Sequence, residues 1–456
     1  MSMTVSSMRR KPSQVSLKVR WPADISAGYR PAIVLVALVI LALTCPAQTG
    51  NRREAALHAF GVRPWDTASD GYFPLAGMVM DAAGNLYGTT SGGYGSGTYF
   101  DGTVFKLTRT QESWRETLVH KFETLDDGAS PMAALTLDRD GNLYGTTAVG
   151  GPNGYGTAFR LSENKDGVWE ETVLYAFGPD EENVPESPLT IDAHGNLYGT
   201  TQQGPPYDLG AVFELALSSE GYWTKSVLYD FNDAQDGESP SGALLIDDRG
   251  NLYGTTFFGG SANYGTVFEL SHTDNGWTKT LLYSFSGEDG AFPSGLVADA
   301  QGNFYGTTSQ GGENSCSPLQ GCGTVFMLKH SPNGWDETVL HSFNGNDGQQ
   351  PSGLTLDDLG NLWGTTYWGG SYANGVIFEI FLRLGTGWGE SVRYSFKGGS
   401  DGSNPNSVML DHAGNAYGTT QGGGQQQPQC GSVGCGLAFE LVGPGSALSL
   451  RPTTHH

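Results

Sequence analysis

Carboxylates dominate the side chains of this chain that could do chemistry: 47 Asp and Glu stand against 24 Lys and Arg, nine His and five Cys. Seven of the aspartates recur at a spacing of 52 to 58 residues: Asp81, Asp138, Asp192, Asp247, Asp299, Asp357 and Asp411. Six others, Asp70, Asp127, Asp236, Asp289, Asp347 and Asp401, each open a D-G-x-x-P turn upstream of one of the seven. In the third copy Val184 is read as standing where the Asp would be. A ring of carboxylates could hold a hard cation, but such ions want several oxygens converging at about 2.3–2.6 Å. One Asp per repeat does not converge unless the loops fold inward, so the turns are read as solvated and no metal is assigned.

The remaining reactive residues divide in the same way. His58, His120 and His341 fill a position that Tyr175, Tyr229, Tyr283 and Tyr394 fill elsewhere, which makes them structural. No His stands with a Ser, Cys or Asp in a nucleophile motif, and H-E-x-x-H, P-loop and dinucleotide-binding patterns are absent. No catalytic residue and no cofactor is therefore named, although so many acidic residues leave glycosidase-type carboxylate pairs open. Cys316 and Cys322 share one Gly-rich loop, and Cys430 and Cys435 share the equivalent loop two repeats on. Two local disulfides are the favoured reading. A zinc site built from all four of these cysteines is the alternative, weakened by the unusual spacing within the first pair.

The elements that must position these residues follow from a repeat. The heptad GNLYGTT occurs at residues 84–90, 141–147, 195–201 and 250–256, and one-letter variants occupy 302–308, 360–366 and 414–420. Before each lies an apolar stretch such as AALTLD (133–138). After each come a Gly-rich segment, G-T-V-F as at 102–105, and W-x-E/K-T/S as at Trp114–Thr117. Each unit thus holds four short β-type runs separated by turn signals. Seven four-stranded units of this length predict an all-β fold, a seven-bladed β-propeller over residues 54–442. The chain opens on a fourth-strand pattern, EAALHAF (54–60), and ends on a third-strand pattern, GLAFELV (436–442), so the N-terminal strand is expected to complete the last blade and close the ring. The D-x-x-G-N segments read as hairpin turns, with Asp capping backbone N–H groups and Gly at positive φ. The second Gly of the heptad is expected to admit a neighbouring backbone.

The combination D-x-x-G-N-L-Y-G-T-T with G-G…G-T-V-F resembles the GloVer tandem repeats of bacterial exported proteins. The resemblance covers residues 54–442 and implies an extracytoplasmic repeat protein, with no activity to carry over. Members of that family bear surface-anchoring tails, whereas this sequence ends in SALSLRPTTHH without an apolar segment.

A residue present in every unit belongs to scaffold, so function is sought in the departures. The two residues after each Thr-Thr pair vary most, and they sit on the face shared by the loops entering the first strand and leaving the second. They include Gln202, Gln203, Phe257, Phe258, Gln310, Tyr367 and Trp368. Tyr72, Phe73 and Tyr372 lie in neighbouring loops, as do Tyr94, Tyr99, Tyr207 and Tyr264, and Trp65 and Trp368 are the two mature Trp residues outside the repeat pattern. Aromatic planes beside amides and carboxylates suit sugar rings and equally suit a protein partner. The competing reading is that these aromatics pack their own loops.

Arg9, Arg10, Lys11, Lys18, Arg20 and Arg30 precede an apolar run at 32–43 and then Cys45-Pro46-Ala47, the layout of a cleaved export signal over residues 1–47. A short linker at 48–53 and a tail at 443–456 flank the propeller. About a dozen apolar residues fall short of the ~20 needed to span a bilayer, so no membrane insertion is expected after cleavage. Removing six basic residues and one acidic residue changes the net charge from −23 to −28 (−23 − 6 + 1). Such a surface repels phosphate backbones, and nucleic acid is excluded as a partner. The expectation is a monomeric protein, secreted, periplasmic or on the cell surface, that binds a polysaccharide or an envelope protein. The alternatives are a carbohydrate-active hydrolase or lyase, and a purely structural surface protein.

Overall fold

A phenylalanine in the third strand of every repeat organises the architecture. In the computed structural model, Phe105, Phe159, Phe213, Phe268, Phe326, Phe378 and Phe439 are fully buried. Each ring lies over the second Gly of its own heptad. A Cβ added at Gly88, Gly145, Gly199, Gly254, Gly306, Gly364 or Gly418 would come within 2.5–2.7 Å of that ring. The expectation of a neighbouring backbone holds in part: an aromatic ring across the strand pair lies against all seven glycines, and at Gly306, Gly364 and Gly418 a first-strand carbonyl also comes within 3.1 Å of that Cβ position. On its other side each ring meets the Phe that ends the fourth strand of the preceding blade. Phe60–Phe105, Phe122–Phe159, Phe177–Phe213, Phe231–Phe268, Phe285–Phe326, Phe343–Phe378 and Phe396–Phe439 have centroids 4.8–5.4 Å apart and steeply inclined planes. Inclined pairs of this kind set the positive ring edge against the negative face.

The structure describes residues 53–443 apart from 62–69, 93–101, 112, 123, 125, 182, 205, 275, 317–320, 384 and 428–429. The proposed signal, most of the linker, nearly all of the tail, and Trp65, Tyr94 and Tyr99 lie outside the described residues. Among those described, 28 strands, numbered β1–β28 in chain order, form seven four-stranded antiparallel sheets. In the first blade β2 (Val79–Met80), β3 (Leu86–Thr90), β4 (Gly102–Arg109) and β5 (Trp114–Phe122) pair in sequence order. Blades two to six repeat this order. The seventh is assembled as β26 (Ser403–Leu410), β27 (Ala416–Gly422), β28 (Leu437–Val442) and β1 (Arg53–Ala59). The N-terminal strand thus closes the ring as the sequence predicts, with Glu54 opposite Leu441 and Ala59 opposite Leu437. No helix among the described residues is long and apolar enough to cross a membrane.

First strands interlock around the axis through side chains: Thr190 Oγ1 donates to the Leu244 carbonyl at 2.6 Å and Thr355 Oγ1 to the Val408 carbonyl at 2.6 Å. The heptad's first Thr adds further seam bonds, as from Thr89 to the Ala133 carbonyl and from Thr419 to the Ala76 carbonyl. In four blades its second Thr ties second strand to third, as in Thr90–Thr103 and Thr308–Thr324.

The seven repeated aspartates are turn residues. Asp81 Oδ1 accepts the Ala83 and Asn85 amides at 2.9 Å, while Oδ2 accepts Asn85 Nδ2 at 2.7 Å and the Tyr87 hydroxyl at 3.0 Å. Asp138, Asp192, Asp247, Asp299 and Asp411 repeat the pattern, and at Asp357 the Trp363 indole takes the hydroxyl's place. The Gly of each turn holds φ between 77° and 90°. Burial alone would raise these carboxyls, but the donated bonds outweigh it and hold Asp81, Asp138, Asp192, Asp247 and Asp299 below the usual Asp value. Burial and the bond to Asp299 push the Tyr305 phenol up to about 12.

Gly364→Ala places a methyl against the Phe378 ring and is expected to cost about 1–3 kcal/mol in urea denaturation, with part recovered in Gly364→Ala/Phe378→Leu. The depressed aspartate values make their stabilisation complete above the unfolded value near ~3.9, and it is lost as pH falls through the lower folded values. The melting temperature should therefore drop in acid below about pH 4. Asp247→Asn should cost about 1.5–3 kcal/mol at pH 7 and make that acid drop shallower.

Candidate functional site

On one face of the ring the chain enters each first strand through a residue that precedes proline. Phe73, Ser130, Val184, Ser239, Phe292, Gln350 and Asn404 all hold positive φ, between 53° and 60°. This left-handed conformation costs a non-glycine residue roughly 1–2 kcal/mol, so the surroundings must impose it. They do so across the seam. The amides of Phe73, Ser239, Phe292, Gln350 and Asn404 donate to the carbonyls of Cys435, Leu209, Tyr264, Cys322 and Asn374 of the preceding blade, at 2.8–2.9 Å. The carbonyls of Phe73, Ser130 and Val184 accept from the first residue beyond their own blade's Thr-Thr pair. First strands lie nearest the axis, so the pre-proline residues and those after the Thr-Thr pair together border the axial opening.

The two disulfides belong to this construction. Cys316–Cys322 and Cys430–Cys435 are formed, each with Cα atoms 5.1 Å apart, which removes the zinc alternative. Each fixes the loop whose last carbonyl, at Cys322 or Cys435, receives the next blade's pre-proline amide.

The structure gathers some of the predicted residues and separates others. Phe257 stacks on Phe292 at 4.9 Å, and Phe258 meets both rings edge-on at 4.9 and 5.4 Å. Tyr264 also reaches Phe292, at 6.1 Å. These rings pack largely on one another. Tyr72 and Phe73 form an edge-on pair at 5.2 Å and are half-buried. Tyr367 donates its hydroxyl to Gln421 Oε1 of the next blade, and Asn404 Nδ2 donates to the Tyr367 carbonyl at 3.0 Å. Trp368 lies edge-on to Tyr367 at 5.0 Å yet remains 43% exposed, and Tyr372 is 53% exposed. Gln203 and Gln310 make backbone pairs with Asn183 and Ala291. Gln202 Nε2 donates to Glu186 Oε2 at 2.7 Å. Burial raises the Glu186 carboxyl, against the opposing effect of that bond.

The sequence reading missed Glu186 and, apart from Phe73, the pre-proline residues. The signal was the pair of variable positions within D-G-x-x-P, which a search for constant residues passes over. One alignment is also corrected. Glu181, not Val184, occupies the Asp position of the third turn: it accepts the Tyr175 hydroxyl at 2.6 Å and the Gly178 amide at 2.7 Å. Val184 is the pre-proline residue, ahead of Pro185. Nor are the turn aspartates solvated, since Asp70 is 7% exposed and bonded to His58 at 2.7 Å and to the Gly61 amide at 2.9 Å.

On the opposite face a polar cleft of about 380 Å³ separates the first two blades, bordered by Asp81, Tyr87, Lys106, Glu163 and Trp169. Asp81 and Tyr87 are already committed to the turn, and Lys106 lies 5.3 Å from the Tyr87 ring centroid.

The family model of the Gloeobacter/Verrucomicrobia repeat matches residues 55–213 and 315–437. No curated protein matches the chain. Among solved structures, the chain is similar to PorZ, a surface component of the type-IX secretion system of Porphyromonas gingivalis, at 14% identity and TM-score 0.49. That match covers 83% of this chain and 48% of PorZ, so the chain spans about half of its length. A gluconolactonase from Xanthomonas campestris is similar at 15% identity and TM-score 0.39, over 70% of this chain and 88% of that one. A putative gluconolactonase is similar at 14% identity and TM-score 0.40, over 76% and 94%.

Asn tolerates the left-handed conformation better than a β-branched residue does, and Asn404 already holds it in the seventh blade. Val184→Asn is therefore expected to raise stability by about 0.5–1 kcal/mol in urea denaturation. Unchanged or lower stability would show that the valine side chain contributes more through packing than its backbone loses.

Proposed function

The chain belongs to the Gloeobacter/Verrucomicrobia repeat family, and from that premise we propose that it is an exported binding module that recognises a polysaccharide through the face carrying the axial opening. The observation that carries this reading is the contrast between the constant and variable parts of each repeat. Turn aspartates, Thr pairs and Phe seams are committed to internal bonds. The residues bordering the opening change from blade to blade, and they combine exposed aromatic planes with amides. Trp368 and Tyr372 offer apolar faces, and the half-buried Gln350 and Gln421 carry amides in the sixth and seventh blades. A sugar ring presents the complementary pattern of C–H faces and hydroxyl edges. Two disulfides suit an oxidising compartment, and the basic-then-apolar N-terminal segment suits export.

A hydrolase or lyase reading would centre on Glu186. Double-carboxylate chemistry requires a second acid facing it across the substrate. The equivalent first-strand positions hold Leu75, Met132, Ser241, Ser294, Ser352 and Asn406, which favours binding over turnover.

The test is binding of the chain lacking residues 1–47 to a polysaccharide and glycan array, alongside Trp368→Ala/Tyr372→Ala. The expected outcome is a bound glycan class whose affinity falls at least about tenfold in the double variant, the loss of roughly 1.4 kcal/mol or more, with an unchanged melting temperature. Binding indifferent to both substitutions would remove this site, and an array without any bound glycan would remove the reading.

A further inference from the structure

The outer part of each blade seam brings the turn residue of one D-G-x-x-P loop against the fourth strand of the next blade. In two seams that strand supplies an ammonium group. Lys225 Nζ lies 2.7 Å from Glu181 Oε2 and 5.3 Å from the centroid of Phe177. Lys279 Nζ lies 2.6 Å from Asp236 Oδ1, donates also to the Asp236 carbonyl, and stands 5.3 Å from the centroid of Phe231. Both lysine side chains are almost wholly buried, 4% and 3% exposed. A carboxylate and an aromatic face thus surround a cation in both seams, an arrangement favourable on both counts.

In the other five seams the same strand position holds a glutamate, so a second carboxylate replaces the ammonium. The seam between the fifth and sixth blades shows the consequence most fully. His341, Asp347 and Glu390 each bring one ligand atom within 4.8 Å of the others. His341 Nε2 lies 3.2 Å from Asp347 Oδ2, and Asn344 holds Asp347 through its amide and side chain. Glu390 Oε1 is buried without a hydrogen-bond partner, and so is Oε1 of Glu54, Glu171 and Glu337 in three sister seams. The Arg393 guanidinium, from the same strand, is bonded to Glu379 instead. Burial first, and the neighbouring Asp347 charge, push the Glu390 carboxyl up to about 7 against the opposing pull of His341, Arg393 and Arg383. Two adjacent carboxylates with an unbonded buried oxygen repel each other unless something positive lies between them.

We propose that the His341–Asp347–Glu390 seam binds a divalent cation, and that Lys225 and Lys279 are built-in replacements for that ion in their own seams. One imidazole and two carboxylates are a donor set for ions of the Zn2+ and Mn2+ type. Ligand atoms placed tetrahedrally around such an ion at about 2.0–2.2 Å lie ~3.3–3.6 Å apart, so His341 Nε2 and Asp347 Oδ2, 3.2 Å apart, are already close enough, and the Glu390 carboxyl, within 4.8 Å of both, has at most about 1.5 Å to close. The rest of the seam is preformed, because Asn344 and the strand register hold Asp347 and Glu390 in place.

The sister seams supply the test, since Glu390→Lys should convert this seam to the Lys225 type. The full chain and this variant are stripped with a chelator, then titrated with Zn2+ alone and with Mn2+ alone, counting bound metal and following the melting temperature. The parent should bind metal and melt higher for it. Glu390→Lys should bind one ion fewer per chain, yet melt no lower than the parent in chelator. If that variant does not fold, Glu390→Gln is read in its place and should also lose one ion. An equal metal count in parent and variant would overturn the proposal. So would a parent that binds neither ion, the seam then holding a shared proton.

Discussion

The contact on which the ring depends is the buried phenylalanine of the third strand, held between a glycine of its own blade and a phenylalanine of the preceding one. It fixes three features at once. The glycine can carry no side chain, because the ring occupies that space. The second and third strands must keep their register, because a shift of one residue would carry the ring to the opposite face. Each blade must also sit at one distance from its neighbour, because the inclined ring pair sets it. Seven such contacts in series explain why a chain with 68 glycines and few charged residues builds a defined core. Each aromatic pair contributes about 0.5–1.5 kcal/mol beyond the area it buries, and closure of the ring by β1 leaves no seam without one.

The fold was legible in the sequence because its determinants recur. A heptad repeated seven times, with a fourth-strand pattern at one end and a third-strand pattern at the other, leaves little freedom in topology. The turn aspartates were legible for a similar reason, since each bonds to residues two, four and six positions ahead. What the sequence concealed joins residues distant along the chain. Lys225 meets Glu181 across 44 positions, and Lys279 meets Asp236 across 43. The alternation of Glu and Lys after the strand-opening Trp is visible in the sequence, but only the seam shows that it alternates like with unlike charge. The positive φ before proline was concealed as well, because its cause is a hydrogen bond from the preceding blade.

The candidate binding face was legible only in outline. Varying positions after the Thr-Thr pair mark the candidate face, but variation cannot tell a residue facing outward from one that fills its own loop. Phe257 and Phe258 illustrate this: alone they read as a sugar platform, but with Phe292 and Tyr264 beside them they form a small apolar cluster of their own. Trp368 differs because its neighbour Tyr367 is tied to Gln421 and Asn404, which leaves the indole without a ring partner beyond Tyr367 among the described residues and open to solvent.

The third blade shows how a repeat departs from its pattern while the ring is kept. Ala211 stands where Thr103, Thr157, Thr266 and Thr324 stand in four other blades, and Thr201 Oγ1 is buried without a hydrogen-bond partner. Glu181 replaces the turn aspartate, and its longer side chain still reaches Tyr175 and Gly178. Lys225 replaces the seam glutamate and bonds to that same Glu181. The same blade carries Glu186, an acid where the other first strands place neutral residues, with Gln202 donating to it. Lys225 sets its ammonium 5.3 Å from the centroid of Phe177, yet the Phe177–Phe213 pair and the glycine beneath it are kept. Polar positions can therefore diverge freely so long as the aromatic seam is kept, and it is at those positions that this protein differs from one blade to the next.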